Sequence, residues 1–359
     1  IDWPLMGPVN TVMAHDKLWF VEADVRTHLT RLLKDSMPFA APDNTAYEQA
    51  VWQGPCDTAG SIGVMAKVFG RVLADNLAFW WFDMWGGWYD EAPLMNLIRQ
   101  TQAVYDQAMI SGGSQSATEI AVIVSEDSHS NFSRLDPTMR QAVFEQRREL
   151  GFIGAPHHLY LMEDLTSIPA DSYRLVIFLN AVALSEQQAA TVRDRFCRKH
   201  KMIVWSGLSR IPKAGATDFG RAGDPDAGLQ TEEKIVYNLD RPGDQHRLAL
   251  IQENDYSAVL SGWPCLPADR LRELARLAGV HLYSHSGDVV YANQDYITLH
   301  AADSGIKRIY FPYTCDAEWI LGKGPVIRQA TSIDVTMKKG ETILLKCKRT
   351  VQAEDNSKL

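Results

Sequence analysis

One short segment near the start of the chain constrains the fold most, because it joins an apolar run to a group of charged side chains. Leu18–Val21 is apolar, and the next seven residues contain Glu22, Asp24, Arg26 and His28. A buried strand of a (β/α)8 barrel has this form, since it presents catalytic side chains at its carboxyl end. The segment therefore predicts a barrel-type strand that ends in a site with two carboxylates.

A second segment, Leu77–Asp90, combines aromatic and acidic residues. It holds four tryptophans, one tyrosine and two aspartates within 14 residues, and it follows the first segment after roughly 60 residues. This distance fits the strand, helix and strand of a barrel repeat with a loop insertion. Aromatic rings stack on the C–H faces of sugars, and carboxylates perform glycosidic chemistry. The two segments together predict a carbohydrate site, although each alone is more typical of surface acids or of an aromatic core.

Two runs of residues resemble the end of the catalytic barrel in the β-galactosidases of glycoside hydrolase family 42. They are Glu22–His28 and Trp80–Tyr89, and the resemblance continues through most of the chain as far as Ala278–Tyr283. It implies an α/β chain built from the terminal part of a (β/α)8 barrel, a doubly wound amidotransferase-like domain and a small antiparallel β domain. We place these three domains at residues 1–111, 118–289 and 290–350.

The resemblance also implies roles for individual residues. Family 42 has its nucleophilic glutamate at a matching strand end, which implies that Glu22 is the nucleophile of a retaining hydrolase. Asp24 is the alternative nucleophile or a substrate ligand, because strand alternation puts it on the same face as Glu22. Arg26 is expected to keep neighbouring carboxylates ionised and to bind a hydroxyl, and His28 to be structural or to bind a hydroxyl. The other residues expected at the sugar are Trp81, Asp83, Trp85 and Tyr89.

The second carboxyl group of such a site is not evident in the sequence. A retaining glycosidase needs a general acid about 5–5.5 Å from its nucleophile, and no other Asp or Glu occupies a suitable barrel position. The chain opens at Ile1 without an initiator Met or a signal peptide, and it shows two barrel-type strands where a barrel has eight. We therefore expect part of a β-galactosidase-like hydrolase of terminal β-glycosides, inactive alone, with its acid outside this chain. The alternative is a non-catalytic carbohydrate-binding or assembly protein.

Residue periodicity predicts the elements around these segments. Helices are predicted at 44–53, 57–75 and 92–110, with Asp57 as the N-cap of the second, and the small polar run 111–116 is the expected domain boundary. Strands and helices then alternate, which predicts a mostly parallel, doubly wound sheet. Its predicted strands are 119–124, 158–161, 175–179 and 202–205, and its predicted helices are 137–150 and 185–199. These elements are followed by a predicted loop at 211–232, a helix at 267–278 and strands at 280–283, 289–292, 296–300, 306–311, 319–321, 332–337 and 342–347.

The doubly wound domain is expected to be structural. Amidotransferase chemistry needs a cysteine at a sharp strand-to-helix turn with a histidine partner. Ser206 and Gly207 follow the strand predicted at 202–205, and Cys197 lies inside a predicted helix. In family 42 this domain builds a trimer, so the resemblance implies a homotrimer. An amidotransferase-like hydrolase with a reactive cysteine remains a second alternative.

Composition excludes several kinds of partner. The net charge of −8 without a basic cluster argues against a nucleic-acid surface. No apolar run reaches the roughly 18 residues that a membrane span needs. The five cysteines are widely spaced and lack metal-ligand spacing, which predicts free thiols in a reducing compartment such as the cytoplasm. We expect no metal and no cofactor.

Overall fold

The computed structural model describes residues 7–32, 35, 53–130, 137–182, 184–206, 235–242 and 248–350. The helix predicted at 44–53 lies outside this set except for its last residue, and the loop predicted at 211–232 lies wholly outside it. Within the described part of the chain, every helix is too short or too polar to span a bilayer.

The chain forms two compact units. One, the α/β unit, combines Trp3–Trp19 with Thr118–Gly287, and the other, the two-sheet unit, combines Phe20–Ala117 with Asp288–Leu359. These units do not coincide with the three predicted domains, whose bounds stay a prediction.

A seven-stranded sheet forms the centre of the α/β unit, in the order β4-β3-β5-β6-β9-β8-β7. The first five strands in this order are parallel, as the alternation of strands and helices predicted, and β8 and β7 add an antiparallel edge. The strands are β3 (Ile120–Val124), β4 (His158–Leu161), β5 (Leu175–Phe178), β6 (Lys201–Ser206), β7 (Ile235–Asn238), β8 (Leu248–Gln252) and β9 (Tyr256–Ser261).

Both faces of this sheet are buried. Alternate residues of β3 enter two different cores, Ala121 and Ile123 in one and Ile120 and Val122 in the other, as expected for a sheet with helices on both sides. Ser185 begins one helix with a capping box, in which its side chain accepts from the Gln188 amide. The helical segments are α1 (Val9–Ala14), α4 (Glu126–Ser130), α5 (Pro137–Met139), a π-helix (Arg140–Glu145), α6 (Gln146–Leu150), α7 (Glu186–Arg195) and α8 (Ala268–Leu277).

The strand predicted at 280–283 is wrong. The backbone N–H of Tyr283 donates to the carbonyl of Gly154 at 2.8 Å, and that of His281 donates to a Glu119 carboxylate oxygen at 2.7 Å. Val280 and Leu282 still pack in a core. The apolar alternation therefore reflects the burial of these side chains, in a segment that is not a strand. Strands β7, β8 and β9 were not predicted.

The two-sheet unit begins with a strand–helix–strand–helix order, β1 (Phe20–Ala23), α2 (Thr58–Ala74), β2 (Ala78–Trp81) and α3 (Ala92–Ile110). β1 and β2 pair in parallel, and Asp57 caps α2 by accepting from the Gly60 amide at 2.7 Å. Both helices agree with the prediction, and the parallel pair is consistent with part of a barrel.

A five-stranded antiparallel sheet completes this unit, in the order β10-β11-β14-β12-β13, and it confirms the predicted β structure after residue 289. The predicted strands 306–311 and 319–321 are parts of one 17-residue strand, in which bulges shift the register. The strands are β10 (Val289–Ala292), β11 (Tyr296–His300), β12 (Gly305–Leu321), β13 (Ile327–Met337) and β14 (Thr342–Arg349).

Candidate active site

The parallel pair β1–β2 has one open face, and Glu22 lies on it. Phe20 and Glu22 are exposed, while Val21 between them is buried, so alternate residues of β1 point to opposite faces. Glu22 is in register with Trp80 of β2, and neighbours in register point to the same face. Phe20 and Trp80 are 60% and 43% exposed. The open face therefore presents a carboxylate between two accessible aromatic rings.

The opposite face of the pair is closed. Val21 and Ala23 are 1% and 0% exposed. The centre of the Phe79 ring lies 5.9 Å from the ring centre of Phe69 in α2 and 5.5 Å from that of Tyr105 in α3. Trp81 alternates with Trp80 and packs in this core. The structure thus separates Glu22 from Trp81, which lies on the helix-covered side.

Asp24 lies beyond the end of β1. Its N–H donates to the carbonyl of Glu22 at 2.9 Å, so the strand alternation on which the expected shared face rested ends at Ala23. Asp24 Oδ2 pairs with Arg26 Nη1 at 2.5 Å, and this guanidinium lies 5.2 Å from the ring centre of Trp88. The other carboxylate oxygen, Oδ1, is buried without a hydrogen-bond partner among the described residues. Asp24 thus keeps one free acceptor next to a fixed positive charge.

His28 connects the loop after β1 to two helices. Its Nδ1 lies 2.9 Å from Ser61 Oγ in α2, and its Nε2 lies 3.4 Å from an oxygen of Glu91, the N-cap residue of α3. The hydroxyl of Thr58 donates to the same Glu91 carboxylate. Both ring nitrogens thus have protein partners.

Asp83 organises the loop after β2. Its Oδ1 accepts from the Gly86 amide at 2.7 Å, and its Oδ2 accepts from the Trp88 amide at 3.1 Å. Gly86 and Gly87 have φ of +86° and +84°, a conformation that side chains disfavour. Both oxygens of Asp83 therefore hold a tight turn, and the Thr27 hydroxyl ties this turn to the β1 loop through the carbonyl of Trp88.

Tyr89 joins the ends of the two strands. Its side chain is buried, and its hydroxyl lies 3.0 Å from the carbonyl oxygen of Phe82 and 3.2 Å from that of Val25. Burial raises the pKa of Tyr89 far above its usual value, and the nearby charges of Asp83 and Asp24 raise it further. The phenol is thus a neutral donor between two loops.

Trp85 lies in the loop itself. Its Nε1 donates to the carbonyl of Arg31 at 3.1 Å, and its ring meets that of the fully buried Trp88 edge-on at 5.3 Å. Trp85 is half-buried. Its ring is therefore held by the protein while part of it stays accessible.

The geometry brings Glu22 and Trp80 together, and separately Asp24, Arg26 and the Asp83 loop. The residues predicted for the hydrolase site include neither Phe20 nor Trp80, and the alternation of Trp80 and Trp81 was the available signal. Among the described residues, Glu22 has no hydrogen-bond or ion-pair partner, and no group of three or more His, Cys, Asp or Glu side chains is arranged to hold a metal.

In the α/β unit, neither cysteine has the properties of a nucleophile. Burial raises the pKa of the Cys197 thiol to about 11 and that of Cys265 to about 12, whereas a reactive thiol has a lowered pKa. Ser206 is buried, and its hydroxyl donates to the carbonyl of Trp263 at 3.4 Å. These residues give no support to amidotransferase-like chemistry.

Neither a protein-family model nor a curated protein matches the sequence. Solved structures do match in fold. A β-galactosidase from Bacillus circulans sp. alkalophilus has a TM-score of 0.53 at 13% identity, over 82% of this chain and 53% of that one. A catalytic mutant of a GH42 β-galactosidase from G. stearothermophilus has a TM-score of 0.50 at 11% identity, over 81% of this chain and 51% of that one. The chain thus shares a fold with about half the length of these enzymes.

Proposed function

We propose that this chain is the nucleophile-bearing part of a retaining glycoside hydrolase that acts on terminal β-glycosides, with a β-galactoside as the first substrate to test. The observation that carries the proposal is the register pair of Glu22 and Trp80 on the open face of β1–β2. It sets a carboxylate beside an accessible aromatic ring at a strand end. The fold likeness to β-galactosidases supports the choice of sugar.

In this mechanism the Glu22 carboxylate attacks the anomeric carbon while the glycosidic C–O bond breaks. An acid outside these 359 residues protonates the departing oxygen, and its conjugate base then takes a proton from the water that releases Glu22. Trp80 and Phe20 form the apolar wall of the sugar site, and the paired Asp24 and Arg26 hold the loop that follows the nucleophile. Asp83 and Tyr89 position the loops, and Trp85 bounds the site from the loop side.

The test is replacement of Glu22 in the full-length protein. Glu22→Ala should abolish hydrolysis of an aryl β-galactoside, and azide should restore turnover because it replaces the missing carboxylate and gives a glycosyl azide. Asp24→Asn is the matched control, which keeps Glu22 and should therefore gain nothing from azide. If azide restored turnover in Asp24→Asn and not in Glu22→Ala, Asp24 would be the nucleophile instead. Sugar binding without any turnover in the native protein would favour a carbohydrate-binding protein instead.

The proposal includes a homotrimer in which the α/β unit supplies much of the contact. Its support is a doubly wound unit in which Cys197, Cys265 and Ser206 lack the properties of a nucleophile, so that a structural role is the better explanation of the unit. A closed trimer would repeat one heterologous interface three times. Light scattering at several concentrations tests it: a trimer mass is expected, and a monomer mass throughout would refute it.

A further inference from the structure

Two cysteines lie on neighbouring strands of the antiparallel sheet, within the two-sheet unit. In the antiparallel pairing of these strands, Cys315 of β12 lies opposite Arg349 of β14. Cys347 of β14 lies opposite Ala317 of β12. Residues two apart on a strand point to the same face, so the two thiols are diagonal neighbours on one face of the sheet. They are 0% and 6% exposed, which places both of them in the buried interior.

The two thiols contact each other. The Cys347 thiol donates a hydrogen bond to the Cys315 sulfur, and this bond lowers the pKa of Cys315. The same bond, together with burial, raises the pKa of Cys347. Burial raises the pKa of the half-buried Tyr313, and the charges of both cysteines raise it further. The pair therefore combines a sulfur that more readily becomes a thiolate with one that stays protonated, beside a side chain that reaches the solvent.

The strand pairing around Cys315 is irregular. The register of β12 with β13 shifts between Tyr310 and Cys315, and again between Cys315 and Ala317. Diagonal neighbours in a sheet have Cα atoms about 7–8 Å apart, whereas a disulfide usually joins Cα atoms about 4.4–6.8 Å apart. A bond between the two sulfurs would therefore draw β12 and β14 together at this irregular point and store strain.

We propose that Cys315 and Cys347 form a redox-sensitive pair, which a hydroperoxide closes to a strained disulfide between β12 and β14. A disulfide outside the usual geometry is easier to reduce, so the bond is reversible and not a permanent structural link. The competing role is that of two buried thiols that only fill the core as small apolar side chains.

One molecule of hydrogen peroxide balances the oxidation. The Cys315 thiolate attacks a peroxide oxygen, the O–O bond breaks, and the departing hydroxide takes up the proton that Cys315 released, which gives water. The Cys347 sulfur then attacks the sulfenic acid formed on Cys315. The S–S bond forms, the S–O bond breaks, and the hydroxide leaves with the Cys347 proton as a second water. Two electrons thus pass from the two sulfurs to the peroxide, and an external thiol reverses the change by exchange.

Peptide mapping of the full chain tests the closure without any substitution. The chain would be treated with hydrogen peroxide, quenched with catalase, denatured, alkylated with iodoacetamide and digested for mass spectrometry. We expect a cross-linked peptide pair that joins Cys315 to Cys347 and lacks two hydrogen atoms, and excess reduced glutathione should restore both thiols. The proposal would be overturned by the absence of this cross-link at a peroxide dose that oxidises the exposed Cys56, or by a cross-link that glutathione leaves intact.

Two variants separate the pair from a general effect of peroxide. Cys347→Ser removes the second sulfur, so the oxidation of Cys315 should stop at the sulfenic acid, which dimedone labels. Cys197→Ser is the matched control, because Cys197 is a partly buried thiol of the α/β unit, and it should give the cross-link in unchanged yield. Equal dimedone labelling of Cys315 in the unaltered chain and in Cys347→Ser would show that Cys347 does not react with it, and would refute the pair.

Discussion

Replacing Tyr89 with Phe tests whether its hydroxyl holds the two loops of the candidate site together. The hydroxyl lies 3.0 Å from the carbonyl oxygen of Phe82 and 3.2 Å from that of Val25, in a residue that is 7% exposed. The substitution removes the donor, keeps the ring and leaves a buried and a partly buried carbonyl without this donor. A net hydrogen bond and the desolvation of an unpaired acceptor together correspond to about 1–3 kcal/mol of unfolding free energy.

Urea unfolding followed by pulsed hydrogen exchange and mass spectrometry measures this loss in peptides of the two-sheet unit. The matched control is Tyr105→Phe, since Tyr105 packs in the same core cluster and no hydrogen bond of its hydroxyl is found among the described residues. It should change the unfolding free energy by less than about 0.5 kcal/mol. Equal effects of the two variants would show that the Tyr89 hydroxyl does not stabilise the loops.

Three further results are expected. Lys307→Met should cost about 3–5 kcal/mol of unfolding free energy, because it removes the ammonium group that lies 2.8 Å from the fully buried Asp288; a loss below about 1 kcal/mol in urea unfolding, the value of a surface pair, would contradict this. Burial raises the pKa of Tyr313 to about 12, so its contribution to stability is complete below its unfolded pKa of about 10 and is lost as the pH rises towards 12. Tyr313→Phe should flatten this alkaline fall, and an unchanged pH profile would refute the assignment. Iodoacetamide should label the exposed Cys56 before Cys197, whose thiol pKa burial raises to about 11, and peptide mapping that finds Cys197 first would contradict it.

The sequence was informative where one local pattern decides the structure. Asp57 predicted the start of α2, and an apolar run bounded by polar residues predicted β1 and the parallel strands of the α/β unit. It was misleading where side-chain burial does not go with strand pairing. At 280–283 alternate apolar side chains pack in a core, while the backbone donates to a loop carbonyl and to a carboxylate.

The arrangement of the candidate site required long-range information. Strand alternation shows that Trp80 and Trp81 face opposite ways, but only the register with β1 shows which of them lies beside Glu22. The roles of Asp83 and Tyr89 depend on a glycine turn that folds their polar atoms onto backbone groups of two loops. A list of polar and aromatic residues therefore identified the region of the site and could not divide it into residues that face the sugar and residues that hold the loops.

Trapping the glycosyl-enzyme intermediate tests the central claim most directly. The native protein would be incubated with a mechanism-based fluorosugar inhibitor, digested and mapped by mass spectrometry. We expect one labelled peptide with the sugar esterified to Glu22, and no label in the Glu22→Ala variant. A label on Asp24 or on another carboxylate, or labelling that persists in Glu22→Ala, would contradict the assignment of Glu22 as the nucleophile.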